Sequence, residues 1–177
     1  MNLDQAVGQE LEWRQPETFR RFYQLTCNGS ELATVRFEKR SGLLATEECG
    51  QRKWTFRRTG FLATRVSIRQ AGAETDLATF TPSWTGRGSL AFSSGRRYQL
   101  RPMNFWATEW SFQPEGESPV VTLSGPHGFF KQSGNTRAAP SAAASPETPV
   151  MLLLIWYLRI LMNDDAAAGT LVVACSG

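Results

Sequence analysis

The sequence predicts an all-β fold with one helix, in which an antiparallel barrel of about twelve strands encloses a hydrophobic helix near the C-terminus. Three observations predict this fold. Apolar and polar residues alternate with period two from Leu11 to Ser124. Glycine-rich turn signals interrupt the alternation at a spacing of about ten residues. Residues 149–162 then form one intensely apolar run.

Length and composition predict a single globular domain over residues 1–177. Hydrophobic residues make up 41% of the chain and charged residues 20%, which excludes a largely disordered protein. Residues 1–8 contain neither a basic segment nor an apolar one, so we expect no signal peptide.

The three cysteines, Cys27, Cys49 and Cys175, are far apart and odd in number. No two of them form a CxxC pair, and no histidine lies beside them, so we expect no zinc site. We interpret them as reduced thiols of a cytoplasmic protein and expect no cofactor.

The strands are predicted from alternation bounded by turns such as Asn28-Gly29 and Ser94-Gly95. We expect about eleven strands before Pro126, with residues 170–175 as a candidate twelfth. The alternation is clearest in five segments, namely 33–38, 53–57, 65–69, 97–101 and 109–113.

Residues 132–148 have a different character, because alanine, serine, proline and glycine dominate them. This composition predicts a flexible linker on the surface. Pro149 then suits the first turn of a helix. We expect that helix to occupy residues 149–162 and to end at Asn163, Asp164 and Asp165.

The apolar run decides the predicted architecture. Its thirteen residues, 150–162, would form a helix of about 20 Å, too short to cross a bilayer. A helix that is apolar on every side must be covered on every side, and a closed barrel of strands about six residues long provides that cover. A short membrane anchor or hairpin and an oligomer-forming helix remain alternatives. We expect Arg159 to reach a barrel mouth or to pair with an acid there.

This combination of strands and helix resembles the tubby C-terminal-like superfamily, which includes the tubby proteins, the phospholipid scramblases and the LURP-one-related proteins. The resemblance covers most of residues 11–165 and is closest to small bacterial members of the LURP-one-like type. It implies a twelve-stranded barrel around a central hydrophobic helix. Tubby proteins hold phosphoinositide headgroups with basic barrel residues, but no individual residue can be carried over. The segments that carry the resemblance are Gly-Phe-Phe-Lys at 128–131, Leu-Leu-Leu-Ile-Trp-Tyr-Leu at 152–158 and Asn-Asp-Asp-Ala at 163–166.

Positive charge is concentrated in the predicted strands, because the segment from Phe19 to Arg101 contains 15 basic and 6 acidic residues. Such a field favours anionic partners, including lipid headgroups, although a solvated arginine-rich face is the simpler interpretation. The candidate anion-binding or lipid-binding cluster is the densest set of basic pairs: Arg57, Arg58, Arg96, Arg97 and Arg101.

We identify no catalytic residues. Ser124 and His127 could form part of a nucleophile–base pair, but no G-x-S-x-G elbow accompanies them, so an exposed turn histidine is the better interpretation. The adjacent acids Glu47 and Glu48 should point to opposite faces of a strand and cannot act together.

The aromatic residues are predicted to pack in the core, away from the arginines on the opposite face of each strand. This separation argues against stacking on nucleic-acid bases, so we expect no nucleic-acid partner. The residues in question are Trp54, Phe56, Trp106, Trp110 and Phe112.

Two classes of function remain. The first is a non-enzymatic binding or scaffold module that contacts anionic phospholipid or a protein partner, in the cytoplasm or peripheral to the membrane, with no transmembrane span. The second is an enzyme or a small-ligand carrier with a site at the barrel mouth. A barrel filled by its own helix favours the first class, because it leaves no room for an internal ligand cavity.

Overall fold

A computed structural model describes residues 3–38, 44–60, 64–83, 87–128 and 131–174. Two short 3-10 turns, Asp4–Ala6 and Pro140–Ala142, accompany twelve strands and one α-helix. The strands are β1 (Glu10–Arg14), β2 (Phe22–Cys27), β3 (Ser30–Phe37), β4 (Leu44–Cys49), β5 (Arg52–Thr59), β6 (Arg65–Gln70), β7 (Ala78–Pro82), β8 (Gly88–Phe92), β9 (Arg97–Pro102), β10 (Glu109–Gln113), β11 (Val121–His127) and β12 (Ser133–Ala138), and the helix is α1 (Thr148–Ala174).

The strands form a closed barrel in which each strand pairs antiparallel with its neighbours in the chain. The barrel closes where β1 pairs with β12, in a register that runs from Glu10 opposite Arg137 to Arg14 opposite Ser133. This arrangement confirms the predicted all-β barrel, and the eleventh of the strands expected before Pro126 continues through that residue to His127.

Alternation directs one set of side chains into the barrel. In β6, for example, Val66 and Ile68 are buried while Arg65 and Arg69 face outward. In β8, Gly88 takes an inward position that no larger residue could occupy. A Cβ atom there would lie 2.2 Å from the Phe80 ring, so the glycine makes room for a neighbouring aromatic side chain.

Helix α1 lies inside the barrel, as predicted. Every side chain from Val150 to Leu158 is buried. The Trp156 ring stacks on Trp13 with 5.1 Å between centroids, and Tyr157 stacks on Phe37 at 5.3 Å. These two residues contact β1 and β3 on one side of the barrel, and Arg159 lies over Trp110 of β10 on the far side.

The predicted linker at 132–148 is wrong, because much of it is built into the fold. Residues 133–138 form β12, and residues 140–142 form a 3-10 turn. The small residues that suggested a linker are needed for close packing against the helix. A Cβ atom at Gly134 would lie 2.8 Å from Trp156 Cζ3 and 2.7 Å from the Ser124 carbonyl oxygen.

The predicted helix bounds of 149–162 and the candidate strand at 170–175 are also wrong. Helix α1 continues to Ala174, and Cys175 lies outside the described residues. Asn163, Asp164 and Asp165 do not end the helix, since the alanines at 166–168 that follow are strong helix formers. The helix is enclosed by strands up to Leu161, and residues 166–168 beyond that point are exposed.

Glu47 is an unusual interior residue. It faces inward from β4 and is fully buried, whereas its neighbour Glu48 is exposed and forms an ion pair with Lys53 at 2.7 Å. The predicted separation of these two acids is therefore confirmed. Neither carboxyl oxygen of Glu47 has a hydrogen bond of good geometry among the described residues, and only the backbone of Phe56 lies close enough to favour the charged form. Burial outweighs that effect and raises the pKa of Glu47 well above its ordinary value, which favours the neutral carboxyl.

Leu154→Asp should unfold the protein, because an ionised carboxylate would be enclosed on every side without a partner. The cost should exceed about 5 kcal/mol, comparable with the whole stability of a small domain. Circular dichroism should show no cooperative thermal transition. Ala167→Asp, on the exposed part of the same helix, should melt close to the wild-type temperature. A folded Leu154→Asp variant would contradict the enclosure of α1.

Glu47→Gln should stabilise the protein increasingly as pH rises. The unfolded chain releases the Glu47 proton near an ordinary pKa of about 4.3, but the folded protein retains it. The wild type therefore loses free energy of unfolding, by up to about 1.4 kcal/mol per pH unit, between those two pKa values. Urea denaturation at several pH values should show the variant's advantage growing with pH. Glu48→Gln is the control, and parallel curves for wild type and Glu47→Gln would refute the assignment.

Candidate functional site

The barrel has two chemically different ends. In an antiparallel meander, the connections that follow odd-numbered strands all lie at one end, and those that follow even-numbered strands lie at the other. Helix α1 leaves the barrel at the first of these ends, which we call the exit end. It enters at the opposite end, where Glu147 meets the connection between β8 and β9.

At the opposite end, buried Glu147 anchors the start of the helix. Its carboxylate accepts hydrogen bonds from Ser94 Oγ at 2.6 Å and from the Tyr98 hydroxyl at 2.8 Å. Arg96 Nη1 lies 3.7 Å from the same carboxylate. Burial, followed by the bond to Glu147, raises the pKa of Tyr98. One carboxylate thus connects the helix to the β8–β9 connection and to β9.

At the exit end, two acids connect the helix to the barrel rim. Asp164 pairs with Arg21, which directly precedes β2, and Asp165 pairs with Arg58 of β5 at 3.0 Å. Burial raises the pKa of Asp164, and the nearby Arg21 guanidinium offsets part of that rise. These acids, which we expected to end the helix, therefore serve as ion-pair partners within it.

The five arginines of the predicted anion-binding cluster are not brought together. Arg58 and Arg96 pair with acids at opposite ends of α1. Arg57, Arg97 and Arg101 lie on the outer surface, where none of them forms an ion pair with another described residue. Arg57 is on β5, which is separated from β9 by three intervening strands.

Arg97 and Arg101 lie on the same outer face of β9 and have uncharged neighbours across the strands. Arg97 is opposite Ala91 of β8, and Arg101 is opposite Ser111 of β10. Arg101 is nearer the exit end, because β9 runs toward that end. Within the described residues neither arginine forms an ion pair, although the exposed Glu109 lies two residues from Ser111 on the same outer face of β10.

Beyond Arg101, the connection between β9 and β10 exposes three large apolar side chains, which we call the aromatic tip: Met103, Phe105 and Trp106. Phe105 is 92% exposed, Trp106 80% and Met103 48%. The two aromatic rings contact each other edge to face at 5.2 Å. Phe19, in the connection between β1 and β2 at the same end, is also 92% exposed.

The loop that carries the aromatic tip is held by hydrogen bonds. The Thr108 amide donates to Asn104 Oδ1 at 3.0 Å, and Asn104 Nδ2 donates to Thr108 Oγ1 at 2.7 Å. Trp110 Nε1 donates to the Ala107 carbonyl at 2.7 Å. Ala107 takes a left-handed conformation with φ of 51°, which costs about 1 kcal/mol outside glycine. These hydrogen bonds therefore fix the loop conformation that exposes the two rings.

The described part of the opposite end has no comparable apolar surface. The connection from β12 to α1, at residues 139–147, contains no aromatic residue, and neither do the strand-to-strand connections. These strand-to-strand connections are all described, at residues 28–29, 50–51, 71–77, 93–96 and 114–120. They carry four acids, Glu74, Asp76, Glu115 and Glu117, and one basic residue, Arg96. The described connections of the exit end carry more bases than acids, namely Arg20, Arg21, Arg87 and Lys131 against Glu17 and Glu38.

Ser124 and His127 do approach each other, on the outer surface of β11. Ser124 Oγ lies 3.3 Å from His127 Nε2, beside a groove of about 330 Å³ that Glu109 and Ser124 help to line. Among the described residues, no hydrogen bond orients the second ring nitrogen of His127. The Gly125 amide, next to Ser124, already donates to the Thr108 carbonyl at 3.1 Å, so it is not free to stabilise an oxyanion.

The predictions for aromatic and cysteine residues have mixed outcomes. Trp54, Phe56, Trp110 and Phe112 are buried, as predicted, but the assignment of Trp106 to the core is wrong. The aromatic tip could have been predicted from the sequence, because the segment from Met103 to Trp106 breaks the period-two alternation of the strands. Cys27 and Cys49 are buried and form no disulfide within the described residues, and Cys175 lies outside those residues.

No protein-family model, curated protein or solved structure matches this chain. Within the described residues, no helix is both long enough and apolar enough to cross a lipid bilayer. The same residues contain no group of three histidine, cysteine or acidic side chains placed to hold a metal ion.

Glu147→Ala should destabilise the fold by about 2–4 kcal/mol, because the buried Tyr98 hydroxyl, together with the Ser94 hydroxyl nearer the surface, loses its acceptor. Chemical denaturation should show a lower midpoint with an unchanged slope. Glu117→Ala, an exposed acid at the same end, should unfold like the wild type. Equal midpoints for the two variants would show that Glu147 does not anchor the helix.

Proposed function

We propose that this protein is a non-enzymatic binding module that docks its exit end on an anionic phospholipid surface. The observation that carries the proposal is the aromatic tip, held rigidly in solvent next to the unpaired charge of Arg101. The resemblance to tubby-like and scramblase-like proteins is itself a proposal, and it agrees with this function. A location peripheral to the membrane belongs to the same proposal, and binding of a protein partner is the alternative to it.

Exposed aromatic rings suit the interface of a bilayer. Aromatic side chains concentrate at the boundary between headgroups and acyl chains, where an apolar ring is buried beside a polar edge. Fully burying a phenylalanine-sized side chain contributes about 1.5–3 kcal/mol. Phe105, Trp106 and Met103 together supply enough apolar surface for reversible docking at the interface.

Charge favours the same orientation. Each arginine near an anionic membrane contributes about 1 kcal/mol, and the effect declines within the Debye length of about 8–10 Å. Arg101 lies at the base of the aromatic tip, and the acidic connections are at the other end of the barrel. A membrane that contains anionic lipid would therefore attract the exit end and repel the opposite one.

The alternative of an enzyme or small-ligand carrier has less support. The interior is occupied by α1, whose side chains from Val150 to Leu158 are buried against the strands. The Ser124–His127 pair lies on the outer surface and lacks an orienting acid among the described residues.

Vesicle flotation tests the proposal. The wild type should float with vesicles that contain phosphatidylglycerol, less well with phosphatidylcholine alone, and less well at high salt. Phe105→Ser combined with Trp106→Ser should weaken partitioning by at least about tenfold, which corresponds to about 1.4 kcal/mol. Circular dichroism should show that this exposed double variant stays folded.

Three arginine variants report the orientation. Arg101→Gln should weaken flotation several-fold, because its charge lies beside the docked tip. Arg97→Gln should have a smaller effect, since four strand residues place it about 13 Å farther from the tip. Arg69→Gln, whose side chain pairs with Asp76 at 2.8 Å, is the control. Equal losses for all three variants, or wild-type flotation of the tip variant, would overturn this docking mode.

A further inference from the structure

Arg159 is the basic side chain of α1 inside the barrel wall, and it is only partly buried. Its guanidinium lies over the Trp110 ring, with Cζ 4.7 Å from the ring centroid. Nη1 contacts Met162 Sδ at 3.4 Å. The Nε atom is buried and has no hydrogen-bond partner among the described residues. This Nε–H is closed to solvent as well, so an anion from outside would reach the other, more accessible part of the guanidinium.

The surroundings of Arg159 differ from those of its charged neighbours. Arg21 and Arg58, at the same end of the barrel, each pair with an acid of α1. Within the described residues, Arg159 forms no ion pair, and burial without a compensating acid lowers the pKa of its guanidinium. A partly buried, uncompensated cation is costly, so an anion from outside the protein would stabilise it.

We propose that Arg159 binds a phosphate group at the exit end of the barrel, with its guanidinium held against the Trp110 ring by the cation–π contact. The planar guanidinium presents parallel N–H donors that match two phosphate oxygens. A phospholipid headgroup and a free phosphate are both sources of that chemistry. The headgroup source rests on the proposed function, whereas binding of phosphate itself does not.

The position of Arg159 suits a headgroup phosphate. Trp110 connects it to the aromatic tip, because the indole N–H donates to the Ala107 carbonyl at the base of the tip loop. A tip inserted at the membrane interface would hold the barrel mouth at the level of the headgroups. The tip would then supply apolar attachment, and Arg159 would supply recognition of phosphate.

Titration with inorganic phosphate, followed by the NMR signals of arginine Nε–H groups, tests the site directly. The Arg159 signal, assigned by its loss in Arg159→Lys, should shift saturably with phosphate and not with sodium chloride of equal ionic strength. Arg57→Met, an unpaired arginine on the outer surface, should leave the shift intact. An unmoved Arg159 signal, or one that moves equally in chloride, would overturn the proposal.

Thermal unfolding provides a second measurement. Phosphate should raise the melting temperature of the wild type and of Arg57→Met, but not that of Arg159→Met. The Arg159→Met variant should be at least as stable as the wild type without phosphate, because it removes an uncompensated buried charge. A phosphate-dependent rise in Arg159→Met equal to that of the wild type would place the site elsewhere and refute the assignment.

Two further measurements distinguish a lipid headgroup from free phosphate as the ligand, and the phosphate site from membrane docking. A short-chain phosphatidylglycerol below its micellar concentration should bind more tightly than inorganic phosphate if the headgroup is the ligand. Flotation without an Arg159 response would refute the phosphate site and leave membrane docking intact. An Arg159 response to inorganic phosphate without flotation would support the phosphate site and refute the membrane function.

Discussion

The structure depends on the need to cover a helix that is apolar around its whole circumference. A single sheet covers one side of such a helix, whereas a closed barrel covers all sides. Two contacts illustrate the requirement, because Tyr157 stacks on Phe37 of β3 while Arg159 lies over Trp110 of β10 on the far side of the barrel. Barrel closure between β1 and β12 is the condition for that enclosure.

Enclosure also explains features that look unrelated in the chain. Gly134 is small because Trp156 occupies the space where a side chain would lie. Charged residues appear at the two points where α1 passes through the barrel ends, with Glu147 at one and Asp164 and Asp165 at the other. Ion pairs at these points connect helix and strands without placing charge in the apolar interior.

Because α1 fills the interior, binding sites must lie on the surface or at the ends of the barrel. The residues that break the usual pattern of buried apolar and exposed charged side chains lie there. Phe105 and Trp106 are exposed although a folded protein gains by burying them, and their loop is fixed by hydrogen bonds. Arg159 is partly buried without an acid beside it among the described residues. Such local costs persist more readily when a ligand or surface compensates for them.

The sequence by itself determined the barrel, the central helix and most of the strands, because period-two alternation and an all-round apolar run each permit few arrangements. It could not identify β12, because Gly134 and its small neighbours look like a linker until the packing of Trp156 against Gly134 is known. Only the tertiary structure decided which charges are neutralised, since the partners of Arg58, Arg96 and Asp164 lie far away in the chain. The exposure of Trp106 was likewise decided by the barrel, because a turn residue faces the core or the solvent according to which strands surround it.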